Sequence, residues 1–425
     1  LLESRVNYFG NEWACINPVA PLRIQGAGRD QTVLTVAPGI FANAIGCRDV
    51  DFVEVADLTI NGNRVNNADQ GVDGNQACIY VGVTPGFTND LHLFENLKLI
   101  NAPREGLYVG AVSSYSYVRN IYAENNGLNG IILDDVKSAT LVHPVLRRNN
   151  LLLDVSRAGL NITTNALHDF RVLVLGGTYY DNGYAGIRID HARHVTLVEP
   201  YVARSGVTDV FGGIGVYVTN SEEIDIFSPR VVENALDGIL VDSGTNNVHV
   251  FGGTAKNNRF GGGVGTVAGF HTYGSYCVVE GLKAYDDQGP KTQHYGVYEE
   301  APGDCNTFRD NDLRNNLTGS LSVVGGATVV KNNRGYSPLG VVVNPYRVAA
   351  GPLLDVAAVQ AFPTSAVNYT VGHSPKLVTI YGGTVTSISV DGTVTGLTSG
   401  AFRLEAGQVF NVVWTVQPSS LVVAQ

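Results

Sequence analysis

The chain has 425 residues, 50 of them glycine, with 44% hydrophobic and only 16% charged residues, so apolar side chain is ample for a long core. Its net charge of −10 argues against a nucleic-acid partner, and against a polyanionic substrate unless a local cationic patch or a metal reverses the field. No apolar run is long enough to cross a membrane, and the five cysteines, Cys15, Cys47, Cys78, Cys277 and Cys305, lack metal-ligand spacing and read as buried thiols, with Cys277 and Cys305 near enough in phase to touch or pair.

In chain order, residues 1–6 read as the tail of an opening strand, which implies further residues upstream. Leu22-Arg23-Ile24-Gln25-Gly26-Ala27-Gly28 and Leu58-Thr59-Ile60-Asn61-Gly62-Asn63 then supply the first two coils of a repeat. From there a glycine followed by an alternating apolar triplet returns at Gly106, Gly130, Gly159, Gly186, Gly213 and Gly238, with looser copies at Cys78, Gly269 and Gly296. A spacing of about 24 to 31 residues is too short for a strand, helix and strand and suits one solenoid coil of short strands. Val195-Thr196-Leu197-Val198 and Ile224-Asp225-Ile226-Phe227 show the period-2 alternation of the other strands. Asparagines at 125–126, 149–150, 182, 234, 257–258, 315–316 and 332–333 mark turns, where Asn tolerates left-handed φ and can hydrogen-bond its copy one coil away.

Beyond Asn333 the pattern changes. Strand-like runs at 376–381, 385–390 and 410–416, with Gly382-Gly383 and Asp391-Gly392 as hairpin turns, predict a small antiparallel β-sandwich-like domain. The expected organisation is all-β: a right-handed parallel β-helix over residues 1–338 and a small β domain over 339–425. The apolar second domain is expected to rest on another surface, either the helix end or another subunit as in a homotrimer, with carbohydrate binding as the alternative.

The early coils resemble the pectate-lyase-like right-handed parallel β-helix superfamily, similar to phage tailspikes and polysaccharide-degrading members. The resemblance implies the fold and an extracellular or virion-associated polysaccharide partner. It leaves the reaction open, because these folds carry lyases, inverting hydrolases, epimerases and adhesins. Polygalacturonases carry Asn-Thr-Asp, Asp-Asp and Gly-His-Gly, of which only Asp134-Asp135 has a counterpart here. Alginate epimerases carry Asp-Pro-His, which Asp190-His191 matches poorly.

In each glycine strand the first and third residues after Gly point inward, so the second and fourth stack outward in columns about 4.8 Å apart per coil. One column contains Tyr108, Asn161, Arg188, His271 and Tyr298; the other contains Asp134, Asp190, Tyr217, Asp242 and Tyr273. Inverting glycoside hydrolysis needs two carboxyl groups roughly 6.5–9.5 Å apart, and acids two coils apart suit that range. The first expectation is therefore an endo-acting hydrolase with Asp190 paired to Asp242 or Asp134, Arg188 and His191 tuning their charge, and Tyr108, Asn161, Tyr217, His271, Tyr273 and Tyr298 binding sugar. The alternatives are a lyase or epimerase using Arg188 and His191, with calcium as an open cofactor, and a non-catalytic glycan-binding spike. Asp209, Asp237 and Arg157 sit in turns beside the groove as further candidates. No transition-metal site is expected.

Overall fold

The computed structural model describes residues 7–9, 12–16, 22–71, 76–82, 89–110, 113–152, 156–164, 171–206, 212–260 and 265–336, and, after these, 368–370, 376–381, 384–395, 400–404, 409–416 and 420–424. The chain divides into two compact units, residues 1–335 and 336–425. Among the described residues there is no helix.

The first unit is a right-handed parallel β-helix whose coils each contribute one strand to each of three sheets. Ala185–Asp190, Arg193–Val198 and Tyr201–Ala203 make one coil, after which Ile214–Thr219 returns beside Ala185–Asp190. The glycine sheet has 13 strands, the second sheet 12 and the third 10. All pairings in the three sheets are parallel except the opening one, Asn7–Phe9 against Glu12–Ile16. Alternation sends every second side chain inward, and Ile187, Ile189, Val195, Leu197 and Val202 of this coil are fully buried. Corners are made by residues in the left-handed region, in this coil His191 (φ 53), Glu199 (φ 51) and Arg204 (φ 56).

The asparagine turns form a ladder inside one corner. Asn126 Nδ2 donates to Asn149 Oδ1 (2.8 Å), and Asn149 Nδ2 to Asn182 Oδ1 (3.2 Å). Beyond Ser205 the chain of amides resumes, with Asn234 Nδ2 on Asn258 Oδ1 (3.1 Å) and Asn258 Nδ2 on Gln293 Oε1 (2.9 Å). The residue before each ladder position takes the left-handed φ, whether Asn125, Arg148, Asp181, Arg204, Glu233 or Asn257. This ladder also explains the repeating glycine. A Cβ on Gly159 would lie 2.6 Å from Asn182 Nδ2 and 2.7 Å from Gly186 O, so no larger residue fits. At the far end, the fully buried Glu299 carboxylate accepts from Asn306 Nδ2, Thr328 Oγ1, Val324 N and Gly325 N at 2.6 to 3.0 Å and fastens the following turn.

Three sequence expectations are corrected. Cys277 and Cys305 are free thiols, as is Cys78, and burial pushes the Cys277 thiol up to about 11 and that of Cys78 up to about 12. Gly382-Gly383 lie outside the described residues, but the strands on either side do not pair with each other: Lys376–Tyr381 lies in a three-stranded sheet with Gly400–Leu404 and Ser420–Ala424, whereas Thr384–Val390 pairs with Val409–Val416 in a four-stranded one. Asp391-Gly392 does turn a hairpin, both residues at positive φ. The third correction is Gly213, whose φ of 130 serves a turn; the repeat glycine of that coil is Gly215, against which Gly238 O and Asn234 Nδ2 pack.

Asn149 both donates and accepts along the ladder, so Asn149→Ala takes one partner from the buried amide on either side and removes the donation of its own Nδ2 to Ala123 O. The expected loss is about 3 kcal/mol, read from urea denaturation, and an unchanged midpoint would show that the ladder adds nothing to stability.

Candidate functional site

The outward face of the glycine sheet carries the predicted columns. In-register pairing lines up Tyr108, Ile132, Asn161, Arg188, Tyr217, Leu240, His271 and Tyr298, one per coil. Two residues further along each strand, Asp134, Thr163, Asp190 and Thr219 pair in turn. Asp242, Tyr273 and Glu300 continue that column through the bonds Asp242 N to Val218 O, Tyr273 N to Val241 O and Glu300 N to Thr272 O. Because Gly215 is the repeat glycine, Tyr217 belongs beside Arg188 in the first column, and Thr219 stands where the sequence reading put Tyr217.

Contacts divide the face into three groups. At one end Tyr80 and Tyr108 stack at 4.8 Å and the Tyr108 hydroxyl donates to Asp134 Oδ2 (2.6 Å). In the middle Arg188 Nη2 lies 2.9 Å from Asp190 Oδ2, and the Arg188 and Asp190 side chains are only 13% and 14% exposed. His191, turned back by its left-handed φ, brings Nδ1 to 2.7 Å from Asp190 Oδ1, an approach that does not form a hydrogen bond in this structure. One coil on, the Tyr217 hydroxyl donates to Asp242 Oδ2 (2.6 Å) with the Tyr184 ring edge-on to it. Burial, reinforced by the adjacent carboxylate, raises the Tyr108 and Tyr217 hydroxyl pKa well above the usual phenol range, so both stay protonated donors.

The third group surrounds His271. Its Nδ1 lies 3.3 Å from Asp237 Oδ2 and its Nε2 3.3 Å from Glu300 Oε2, with the Tyr273 and Tyr298 rings each 4.8 Å away. Asp237 Oδ1 also accepts from Ala268 N (2.6 Å), which fixes the carboxylate. Burial lowers the imidazole pKa, but the hydrogen-bonding and charge of Asp237 and Glu300 outweigh it and raise it. Each ring nitrogen of His271 thus faces a carboxylate, and only 5% of its side chain is exposed.

Asn161 is 1% exposed; its Nδ2 donates to Ser156 O (3.3 Å), and its Oδ1 has no hydrogen-bond partner. Asp209 lies outside the described residues. Sequence reasoning did not join Asp237 and Glu300 to His271, nor bring Tyr184 to Tyr217. Asp237 and Tyr184 come from turns, where coil length varies and column phase gives no guide. Among the described residues no three His, Cys, Asp or Glu side chains are grouped closely enough to hold a metal ion.

No protein-family model matches this chain. It is 27% identical over 211 residues, 43% of its length, to the mannuronan C5-epimerase AlgE5 of Azotobacter vinelandii, and 26% identical over 219 residues, 41% of its length, to alginate lyase 7 of the same organism. It spans 21% and 23% of those two proteins. Among solved structures, the A-module of the Azotobacter vinelandii mannuronan C-5 epimerase AlgE6 superposes with a TM-score of 0.59 at 18% identity, over 74% of this chain and 84% of that one. A double mutant of the periplasmic alginate epimerase AlgG superposes with a TM-score of 0.51 at 11% identity, over 75% and 78%. At these identities the structural likeness establishes the parallel β-helix fold.

The His271 group makes stability pH-dependent. The folded chain holds the His271 proton more tightly than the unfolded chain, whose imidazole titrates near 6.5, so this stabilisation is complete below that value and is lost as pH rises through the raised folded pKa. A series of melting temperatures from about pH 5 to 9 is expected to fall over that window in the native protein and to lose that component in His271→Gln. Parallel curves for the two proteins would remove the charge from the account.

Proposed function

We propose that the groove acts on a uronate-containing polysaccharide by removing the proton at C5, the step shared by epimerisation and β-elimination. The observation that carries this reading is Arg188. It is the cation at the centre of an acid-lined face, with one Nη on Asp190 and a buried Nε that has no hydrogen-bond partner. A guanidinium so placed suits a uronate carboxylate, which it would hold by charge-assisted hydrogen bonds. The identity to a mannuronan epimerase and an alginate lyase supports the same substrate class.

The chain's residues then divide the work. Removal of the C5 proton pushes an electron pair into the sugar carboxylate, and Arg188 stabilises the charge that develops there. Asp190 faces His191 Nδ1 and favours the proton on that nitrogen, which leaves Nε2 with a lone pair to accept the C5 proton. Tyr217, beside Arg188 in the first column, is the candidate for the opposite role of acid. It would return a proton to C5 from the other face, or give it to the O4 leaving oxygen as the C4–C5 double bond forms.

The paired-aspartate hydrolase is less favoured. A general acid must present a proton to the glycosidic oxygen, and Asp190 is occupied by Arg188 and His191 while Asp134 and Asp242 accept from tyrosines. We also place the chain outside the cytoplasm, or on a virion, where such polymers are met.

The test is incubation with polymannuronate in heavy water. Deuterium at C5 or ultraviolet absorbance from unsaturated ends is expected, and Arg188→Gln should lower the rate by about 10²–10³ with the melting temperature unchanged. Reducing ends released with neither signal would return the site to hydrolysis, and silence on a broad glycan panel would favour a binding spike.

A further inference from the structure

The second column of the groove alternates without a break. Carboxylates stand at Asp134, Asp190, Asp242 and Glu300, every second coil, and the coils between them carry the hydroxyl residues Thr163, Thr219 and Tyr273. The first column follows the same beat. Asn161, Tyr217 and His271 fall on the hydroxyl coils, whereas Ile132, Leu240 and Tyr298 fall on acid coils. Arg188 is the exception, a cation on an acid coil.

Two coils span about 9.6 Å. A 1,4-linked pyranose advances roughly 5 Å, about one coil, and in an extended chain successive rings turn over, so the same edge returns every second ring. On a uronate chain each carboxylate therefore faces the groove at every other sugar, with a hydroxyl edge between. A sugar carboxylate opposite an aspartate is repelled, whereas sugar hydroxyls donate well to it. The hydroxyl coils carry no negative charge at Thr163, Thr219 and Tyr273, the Tyr273 hydroxyl being bonded to Glu300 of the next coil. Asn161 adds a second, independent sign of a ligand there, a 1% exposed side chain on the outward column whose Oδ1 has no partner.

We infer that the groove reads an extended uronate chain in a two-sugar register, hydroxyl edges on the four acid coils and carboxylates on the coils between. This rests on the C5-proton reading for the polymer class and adds the register, the length and the place of reaction. Arg188 supplies on one acid coil the positive charge that the other three lack, so that coil alone accepts a carboxylate, and the sugar there is the one out of step and held for reaction.

The experiment measures binding of the full chain to mannuronate oligomers of defined length by calorimetry, with the deuterium assay run in parallel. Affinity is expected to climb as a staircase, about tenfold for each second sugar and nearly flat between. Glu300→Gln, whose melting temperature is checked first, should remove only the last step and leave the shorter oligomers unchanged. A smooth rise with every sugar, no dependence on length, or the same staircase with neutral 1,4-linked oligomers would each overturn the register. A staircase without C5 exchange would leave the register standing and remove the proposed chemistry; exchange without a staircase would do the reverse.

Discussion

Parallel strands stacked in register, one coil every ~4.8 Å, are the constraint from which the groove follows. Each residue on the glycine sheet faces its counterpart in the next coil, so a choice made at one position becomes a column. The register is held from inside by the asparagine ladder, whose buried amides each bond two neighbours, and by glycines that leave room for it. A slip of one residue would turn Ile187 and Ile189 outward and orphan the ladder together. The outer columns are thus as well positioned as the core beneath them, though no side chain on the face has to pack tightly to stay there.

That constraint also decided what could be read from the sequence. Glycine with an alternating triplet is a packing signature, and it disclosed the solenoid, the inward positions and most of the outward columns. It misled at one coil, where Gly213 and Gly215 both precede an apolar triplet and only Gly215 lies against the ladder. The error put Tyr217 in the acid column, where Thr219 stands, and so left it out of the column that holds Arg188. Side-chain pairings were less legible than columns. Tyr108 with Asp134 joins adjacent coils of the same face, but His271 with Asp237 depends on a turn whose length no period fixes. In the second unit the composition gave strands, while the sheet each strand joins is set by contacts far apart in the chain.

Charge needs the same separation of global from local. A chain of net charge −10 repels a polyanion at long range, which is why the sequence argued against one. Beyond a Debye length of about 8 Å in physiological salt that repulsion is screened, and what a bound polymer meets is the nearest coil. Acids spaced about 9.6 Å apart interact weakly with one another, and each has its own partner: a tyrosine hydroxyl for Asp134 and Asp242, Arg188 for Asp190, His271 for Glu300. The negative charge is therefore distributed in discrete positions with neutral donors between them, and an anionic polymer can be accommodated if its own charges fall in the gaps.

A groove of this construction couples recognition to chemistry through the single exception in its pattern. If every acid coil were alike, a uronate chain could shift by two sugars without any change in energy, and no sugar would be singled out. Arg188 breaks that equivalence. It lies mostly buried, its position fixed by Asp190, with Nε not yet used, so it gains most from a carboxylate that the other acid coils reject. The ring that meets this demand cannot keep the orientation its neighbours prefer, and the distortion is supported by binding energy from the coils on either side. Remote coils then contribute to the rate as well as to affinity, which is the advantage a long stacked face has over a compact pocket.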